Sequence, residues 1–253
     1  MSMLSVVSPL YRTADHFVEF IERLASVLDD TGMGWEIVAV DDHCPEHTGD
    51  QAREIADLAG LSVYRLGRNV GQHAATAIGI RLSRGDVVAV LDADLQDPPE
   101  ALPSLLAALD DDVDVVVAKR VGRHQGPGRR VTGHLFRTAR WALSGGRVPR
   151  GAGMFLVARR EVLERVAALE DPGIHLISGL VRVGARFRAA PIVRQARSSG
   201  RSAFSSTMRA QLAFDALVAV TPAQPWASRR RAMDWFEPGI EVVTHPGVQE
   251  SAP

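Results

Sequence analysis

The stretch Leu91-Asp92-Ala93-Asp94-Leu95-Gln96-Asp97-Pro98-Pro99-Glu100 sets two carboxylates two positions apart directly after the apolar run Val87 to Leu91. Read as a strand and the turn that follows it, this places both acids at the mouth of a sheet. A divalent cation that bridges two phosphates needs hard oxygen ligands of this kind. It takes one or two carboxylates from the protein and leaves its other positions to phosphate and water. A helix-capping turn also accounts for part of the motif, because Asp97-Pro98-Pro99-Glu100 has the form of an N-cap followed by proline in the first helical turn. The two readings are compatible, with Asp97 as the cap and Asp92 and Asp94 on the metal. Asp-x-Asp alone is a weak signal, frequent in unrelated sequences. A second acidic pair, Asp41-Asp42, ends the run Glu36 to Val40 in the same way. A carboxylate there can accept hydrogen bonds from a nucleobase or a ribose. A solvated turn is the competing reading, and the equivalent placement of Asp92 and Asp94 favours the ligand-facing one.

The elements that must carry these residues alternate. Leu4 to Ser8, Trp35 to Val40, Ser62 to Leu66, Val87 to Leu91 and Val113 to Ala118 read as strands. Between them Thr13 to Asp29, Thr48 to Ala59, Gln72 to Ser83 and a segment opening at Pro98 to Pro103 read as helices. Apolar strands alternating with helices predict an α/β fold, a mostly parallel sheet covered on both faces. Ligands of such sheets sit beyond the carboxyl ends of the strands, where both acidic pairs fall. Past residue 120 the pattern loosens. Gly122 to Arg130 is a Gly- and Arg-rich loop, Val131 to Leu143 is amphipathic, and Gly146 to Gly153 is a second glycine-rich break. A strand at Met154 to Ala158 and helices at Arg160 to Ala168 and near Ile174 to Val183 follow. The domain reading is one catalytic domain over residues 1–220, with a Pro-rich, disordered appendage over residues 221–253.

Bulk properties narrow the function. The 253 residues are 46% hydrophobic and 23% charged, enough for a large core. With 29 basic against 30 acidic side chains there is no overall bias toward nucleic acid or an anionic bilayer, so an anion site has to be local. Cys44 is the single cysteine, which excludes an internal disulfide and any cysteine-cluster metal site. Met1 to Pro9 lacks the form of a signal peptide, and no window is apolar for the roughly 18 to 20 residues of a spanning helix. The expected location is the cytoplasm, with peripheral membrane contact at most. Thr207 to Val220 is the one short amphipathic stretch that suits an interface, although such stripes more often pack on a core.

Four segments together resemble family-2 glycosyltransferases in order and spacing. They are Ser5-Val6-Val7-Ser8-Pro9-Leu10-Tyr11, Val40-Asp41-Asp42, Gly67-Arg68-Asn69-Val70-Gly71 and Leu91 to Pro99. The similarity is greatest to dolichol- or polyprenyl-phosphate mannose and glucose synthases, whose members typically read DADLQDPPE, and it covers about residues 4 to 215. The resemblance implies the GT-A fold, a Rossmann-like α/β sheet, and a metal-dependent inverting transfer from a nucleoside-diphosphate sugar. By the same resemblance, Pro9, Tyr11 and Asp42 border the nucleoside with Asp41 beside it, and Asp92, Asp94 and Gln96 hold Mg²⁺ or Mn²⁺ against the diphosphate. Arg120 approaches the donor phosphates, and Gly200-Arg201-Ser202-Ala203-Phe204 matches a loop that closes over the donor. Ala203 stands where that loop usually has lysine, so Arg201 or Arg197 has to supply the charge.

A second departure concerns the acceptor. Pro149-Arg150-Gly151-Ala152-Gly153-Met154-Phe155-Leu156 aligns with a stretch that elsewhere carries two acids and an arginine, and Gly151, Met154 and Leu156 replace them. A hydroxyl acceptor needs a general base, whereas a phosphate monoester is largely dianionic at neutral pH and can attack unaided. The expected acceptor is therefore a phosphate, of the polyprenyl type or otherwise. A soluble small molecule is the alternative, with His73, His134 and His175 as candidate bases. A catalytically silent nucleotide-sugar-binding protein is a third reading, and a homo-oligomer is compatible with all of them. A Rossmann dehydrogenase is disfavoured, because the first strand runs into Pro9-Leu10-Tyr11 and not a Gly-x-Gly-x-x-Gly turn.

Overall fold

The computed structural model describes residues 2–55, 58–121, 138, 141–142, 144–149, 152–169, 175–193 and 239–244. Its centre is β1 (Met3–Leu10), whose side chains from Leu4 to Leu10 are all buried. A strand with both faces covered reads as a largely apolar run and not as an alternation. Its two buried hydroxyls are satisfied, Ser5 Oγ donating to Glu36 Oε1 and Ser8 Oγ to Leu91 O. Parallel to β1 on one side lie β2 (Gly34–Asp41) and then β3 (Leu61–Leu66). On its other side lies β4 (Val87–Val90), also parallel. β6 (Ala152–Arg159) runs antiparallel between β4 and β5 (Val115–Val121), and β7 (Phe187–Val193) pairs parallel with β5. With β8 (Ile240–Thr244) at the far edge, the order among the described residues is β7-β5-β6-β4-β1-β2-β3-β8, eight strands of a mixed, mostly parallel sheet.

Two apolar clusters flank it. On one face α1 (Phe17–Asp29) buries Phe17, Phe20, Ile21, Leu24 and Leu28 at helical spacing, joined by α3 (Leu102–Ala107). Full burial of side chains of this size stabilises by about 1.5–3 kcal/mol each, as an upper estimate. On the other face α2 (Gln72–Leu82), α4 (Arg160–Ala167) and α5 (Leu176–Arg182) share a second cluster with β1, β2, β4, β5 and β6. α2 lies unusually close to the sheet, since a Cβ on Gly79 would come 2.5 Å from Val7 Cγ1 and 3.1 Å from Val40 Cγ2.

Several boundaries differ from the sequence expectation. Thr48–Ile55 forms a 3₁₀ helix and not an α-helix, and the Gly49 N–H donates to Asp41 Oδ2 outside any helical ladder. β7 was not anticipated, because Arg188 and Pro191 interrupt its apolar pattern. Among the described residues β7 lies at the sheet edge, where a proline is tolerated because one side of the strand has no ladder to complete. Within residues 221–253, Ile240–Thr244 form β8, paired antiparallel with β3. The Val131 to Leu143 segment lies almost wholly outside the described residues, and Thr207 to Val220 entirely so. Among the described residues no helix is long and apolar enough to cross a membrane.

Candidate active site

The β4 end is fixed from below by β1. Leu91 N–H donates to Val7 O at 3.1 Å, and Ser8 Oγ donates to Leu91 O at 2.7 Å. The chain then turns sharply at Leu95, whose φ of 55° lies in the left-handed region that a branched side chain rarely adopts. Such strain persists only where surrounding contacts enforce it. Here Gln96 supplies them, with its N–H on Asp94 Oδ1 at 3.1 Å and its Nε2 on Asp94 Oδ2 at 2.5 Å. Asp92, half-buried, accepts from Gln72 Nε2 at 2.6 Å through Oδ1.

Asp97 does not cap a helix. The residue ahead of the turn Pro99–Ala101 is Pro98, and no side chain caps it. The Asp97 carboxylate instead receives both Nε (3.1 Å) and Nη2 (2.5 Å) of Arg120 from the end of β5. A bidentate charged pair is a stronger partner than backbone N–H groups, two of which the adjoining prolines remove. Gly153 on β6 makes room for it, for a Cβ there would sit 3.1 Å from the guanidinium carbon. Arg120 is thus held beside Asp92 and Asp94 and contributes to their electrostatics.

Among the described residues the three carboxylates outweigh the Arg120 guanidinium beside them. Burial pushes the Asp92 carboxyl up to about 6, the negative charges of Asp94 and Asp97 add to this, and Arg120 only partly opposes it. A divalent cation fits that imbalance. Among the described residues no group of three or more His, Cys, Asp or Glu converges to enclose a metal. The ligands this chain can offer are therefore Asp92, Asp94 and the amide oxygen of Gln96, with phosphate oxygens completing the shell.

On the β1–β2 side, Pro9 lies past the last β1–β4 partner pair, so its missing N–H breaks no bond to β4. Tyr11 is 38% exposed beyond the strand end, with the Arg12 guanidinium carbon 5.6 Å from its ring centroid. Asp41 is fully buried and points into the protein. It accepts from Cys44 N (2.7 Å), Gly49 N (3.1 Å) and Arg65 Nε (3.4 Å), and so holds the turn after β2. Asp42 is also buried, and its two oxygens accept from Val70 N (2.7 Å) and Gly71 N (2.9 Å). Burial nevertheless raises its carboxyl to about 6.

On the acceptor side, Met154 is half-buried against the second apolar cluster and Leu156 is fully buried within it. His73 and His175, which the sequence offered as separate candidates, come together with ring centroids 4.3 Å apart. Burial lowers the His73 pKa, favouring the neutral ring. His134, Gly151, Arg197 and Arg201 lie outside the described residues. Sequence reasoning assigned Gln72 no role. Its signal is its position, directly after the quoted Gly67 to Gly71 segment and at the first turn of a predicted helix.

Comparisons with known proteins bear on the family and the fold. Residues 5–167 match glycosyl transferase family 2. An undecaprenyl-phosphate 4-deoxy-4-formamido-L-arabinose transferase of Pseudomonas aeruginosa is 31% identical over 226 residues, 87% of this chain and 66% of that protein. The chain therefore spans just under two thirds of that relative's length. Among solved structures, glucosyl-3-phosphoglycerate synthase from Mycobacterium tuberculosis, in complex with Mn²⁺, UDP and phosphoglyceric acid, superposes with a TM-score of 0.63. That match has 20% identity and covers 89% of this chain and 80% of that one. A Pyrobaculum calidifontis mannosyltransferase in complex with GDP-mannose and Mn²⁺ gives 0.55 at 21% identity, over 78% of this chain and 57% of that one. The chain belongs to glycosyl transferase family 2 and has the GT-A fold.

Proposed function

We propose that this glycosyltransferase moves a sugar from a nucleoside-diphosphate donor to a phosphate monoester, with inversion at the anomeric carbon, and that the acceptor is a polyprenyl phosphate. The observation that supports the reading is the carboxylate cluster at the end of β4, in which Asp92, Asp94 and Asp97 gather beside the Arg120 guanidinium and the Asp92 carboxyl is raised. Asp92, Asp94 and Gln96 would hold Mg²⁺ or Mn²⁺, which supplies charge neutralisation for the departing diphosphate. Arg120, aimed by Asp97, adds fixed positive charge beside them. Pro9, Tyr11 and Asp42 line the strand ends where the nucleoside would lie, and Arg201 is the residue proposed to close over it.

In the transfer, an acceptor phosphate oxygen forms the new bond to the anomeric carbon from the face opposite the diphosphate. The bond to the diphosphate oxygen breaks, and its electron pair leaves with the nucleoside diphosphate. A dianionic phosphate needs no base. That suits a β6 segment in which Met154 and Leu156 pack on the second apolar cluster and offer no carboxylate to act as a base. The undecaprenyl phosphate in the names of similar proteins supports the lipid form of the acceptor. A peripheral approach to a membrane would then suffice, since the reacting phosphate lies at the bilayer surface.

The test is a panel of nucleoside diphosphates with Mn²⁺, read by thermal shift, followed by transfer assays with the preferred donor sugar and a short polyprenyl phosphate. A ligand stabilises only the state that binds it, so one base should raise the midpoint and the others should not. Transfer should vanish with EDTA and in Asp94→Ala. Full activity of that variant would refute the proposal, and donor binding without transfer to any phosphate would leave a binding protein in its place.

A further inference from the structure

The segment from Asn69 to Gln72 is tied at both ends to acidic residues at the candidate site. At one end Asp42, just after β2, accepts from Val70 N and Gly71 N with its carboxylate, while Asn69 Nδ2 donates to its carbonyl at 2.9 Å. At the other end Gln72 Nε2 donates to Asp92, just after β4, at 2.6 Å. β2 and β4 lie on opposite sides of β1, so the segment bridges the carboxyl end of the central strand. Its form depends on Gly71, whose φ of 89° is open to glycine and strained for other residues. Beyond it the helix is anchored: Gly71 O accepts from Ala74 N and Ala75 N, Thr76 Oγ donates to Gln72 O, and Gly79 presses on Val7 and Val40. The Gln72 side chain therefore leaves a backbone that is fixed on both flanks.

We infer that Gln72 is a positioning residue for Asp92, and that Asp42 acts on Asp92 through it. The amide holds Oδ1 of Asp92 and fixes the plane of the carboxylate, so that Oδ2 is the oxygen presented to a cation. An unsupported Asp92 would turn freely next to Asp94 and Asp97, whose charges repel it. Asp42, with both carboxylate oxygens engaged by the segment, sets the height and direction of Gln72 instead of reaching outward itself. This inference rests on the metal reading of the proposed function. It gives the Gly67 to Gly71 motif, left without a task by the sequence, a physical one.

The experiment titrates Mn²⁺ into the full chain with UDP or GDP, whichever binds, and follows the free-ion signal by electron paramagnetic resonance. Gln72→Leu and Gln72→Met both remove the donor without adding a charge beside Asp92, Asp94 and Asp97. Groups that orient metal ligands typically contribute 10- to 100-fold in metal affinity, so both variants should bind Mn²⁺ at least about 10-fold more weakly. Metal-free nucleotide affinity and the metal-free unfolding temperature should stay at the parent values. Asp42→Asn should weaken Mn²⁺ in the same direction, and combining it with Gln72→Leu should add little. Parent-like Mn²⁺ binding by folded Gln72→Leu and Gln72→Met would overturn the role of Gln72 alone. If the parent itself binds no Mn²⁺ with any nucleotide, the metal reading falls and this inference with it. Should Gln72→Leu fail to fold, Gln72→Met decides by the same readout.

Discussion

Arg120 grips Asp97 with two nitrogens, yet only 3% of the Asp97 side chain is exposed against 33% of that of Arg120. The acid is the buried partner and the arginine the one that looks outward, so the two are not equivalent to mutation. Arg120→Met strands a carboxylate that already shares its surroundings with Asp92 and Asp94. The expected loss is on the order of 3 kcal/mol, the low end for breaking a buried pair, because Arg120 keeps some solvent. Asp97→Asn should cost less, and the double variant should recover part of the loss from Arg120→Met. Urea unfolding of the four proteins measures the coupling, and strict additivity would show that the pair is not energetically linked.

Asp92 is placed at a cost to the metal-free protein. Its native carboxyl titrates at about 6 against an unperturbed value of 3.8. A raised native value means that ionisation opposes folding at neutral pH, and that the opposition fades as pH falls toward 4. Two units correspond to at most about 3 kcal/mol. Without metal, Asp92→Asn should therefore be more stable than the parent at pH 7 and equal to it near pH 4, while transfer activity is lost. A metal-free variant less stable than the parent at pH 7 would contradict this, and denaturant midpoints at four pH values decide it.

Most of the architecture was legible in the sequence because the central strands are apolar on both faces. Leu4 to Leu10 and Ile37 to Val40 have no other environment open to them. The Asp92 and Asp94 pair was legible because a strand end is a topological position that local pattern reveals. Side-chain partnership was not. Asp97 has the sequence form of a cap, and only the fold brings it against Arg120, 23 residues away. Glu36 reads as a polar interruption of β2, but the fold surrounds it with Ser5 Oγ, the Arg84 N–H and the Arg84 guanidinium. Nothing local in the sequence shows that the Asp42 carboxylate also accepts from a segment 28 residues on. These relations depend on long-range register, which one chain's periodicity does not encode.

Gly79 controls how closely α2 approaches the sheet. In Gly79→Ala the new methyl would meet Val7 Cγ1 at 2.5 Å, and Val7 is a stiff β-branched residue in the central strand. Overpacking of this kind costs about 1–3 kcal/mol, and the better helix propensity of alanine returns about 1 kcal/mol of it. A net loss of up to about 2 kcal/mol is expected. Because α2 carries Gln72, transfer should fall more than stability alone explains, which assays well below the unfolding temperature would show. A fully active Gly79→Ala protein would mean that the helix shifts without disturbing Asp92.

His73 provides a pH-dependent contribution of the opposite sign to that of Asp92. Burial lowers its native pKa, and among the described residues its Nδ1 has no hydrogen-bond partner. Folding therefore favours the neutral ring, and any proton that the unfolded chain binds near the ordinary histidine value of about 6.5 has to be given up. Stability from this residue is fully present above that value and is lost as pH falls through it toward the lower native one. Replacing the ring by an apolar side chain removes both the titration and an unsatisfied nitrogen, whose burial carries its own cost. His73→Met should accordingly match or exceed the parent at pH 8 and gain on it progressively between pH 7 and pH 5. Asp42 and Asp92 titrate in both proteins, so the difference between the two curves isolates the histidine. A constant offset at every pH would show that packing against His175, and not protonation, is what His73 contributes.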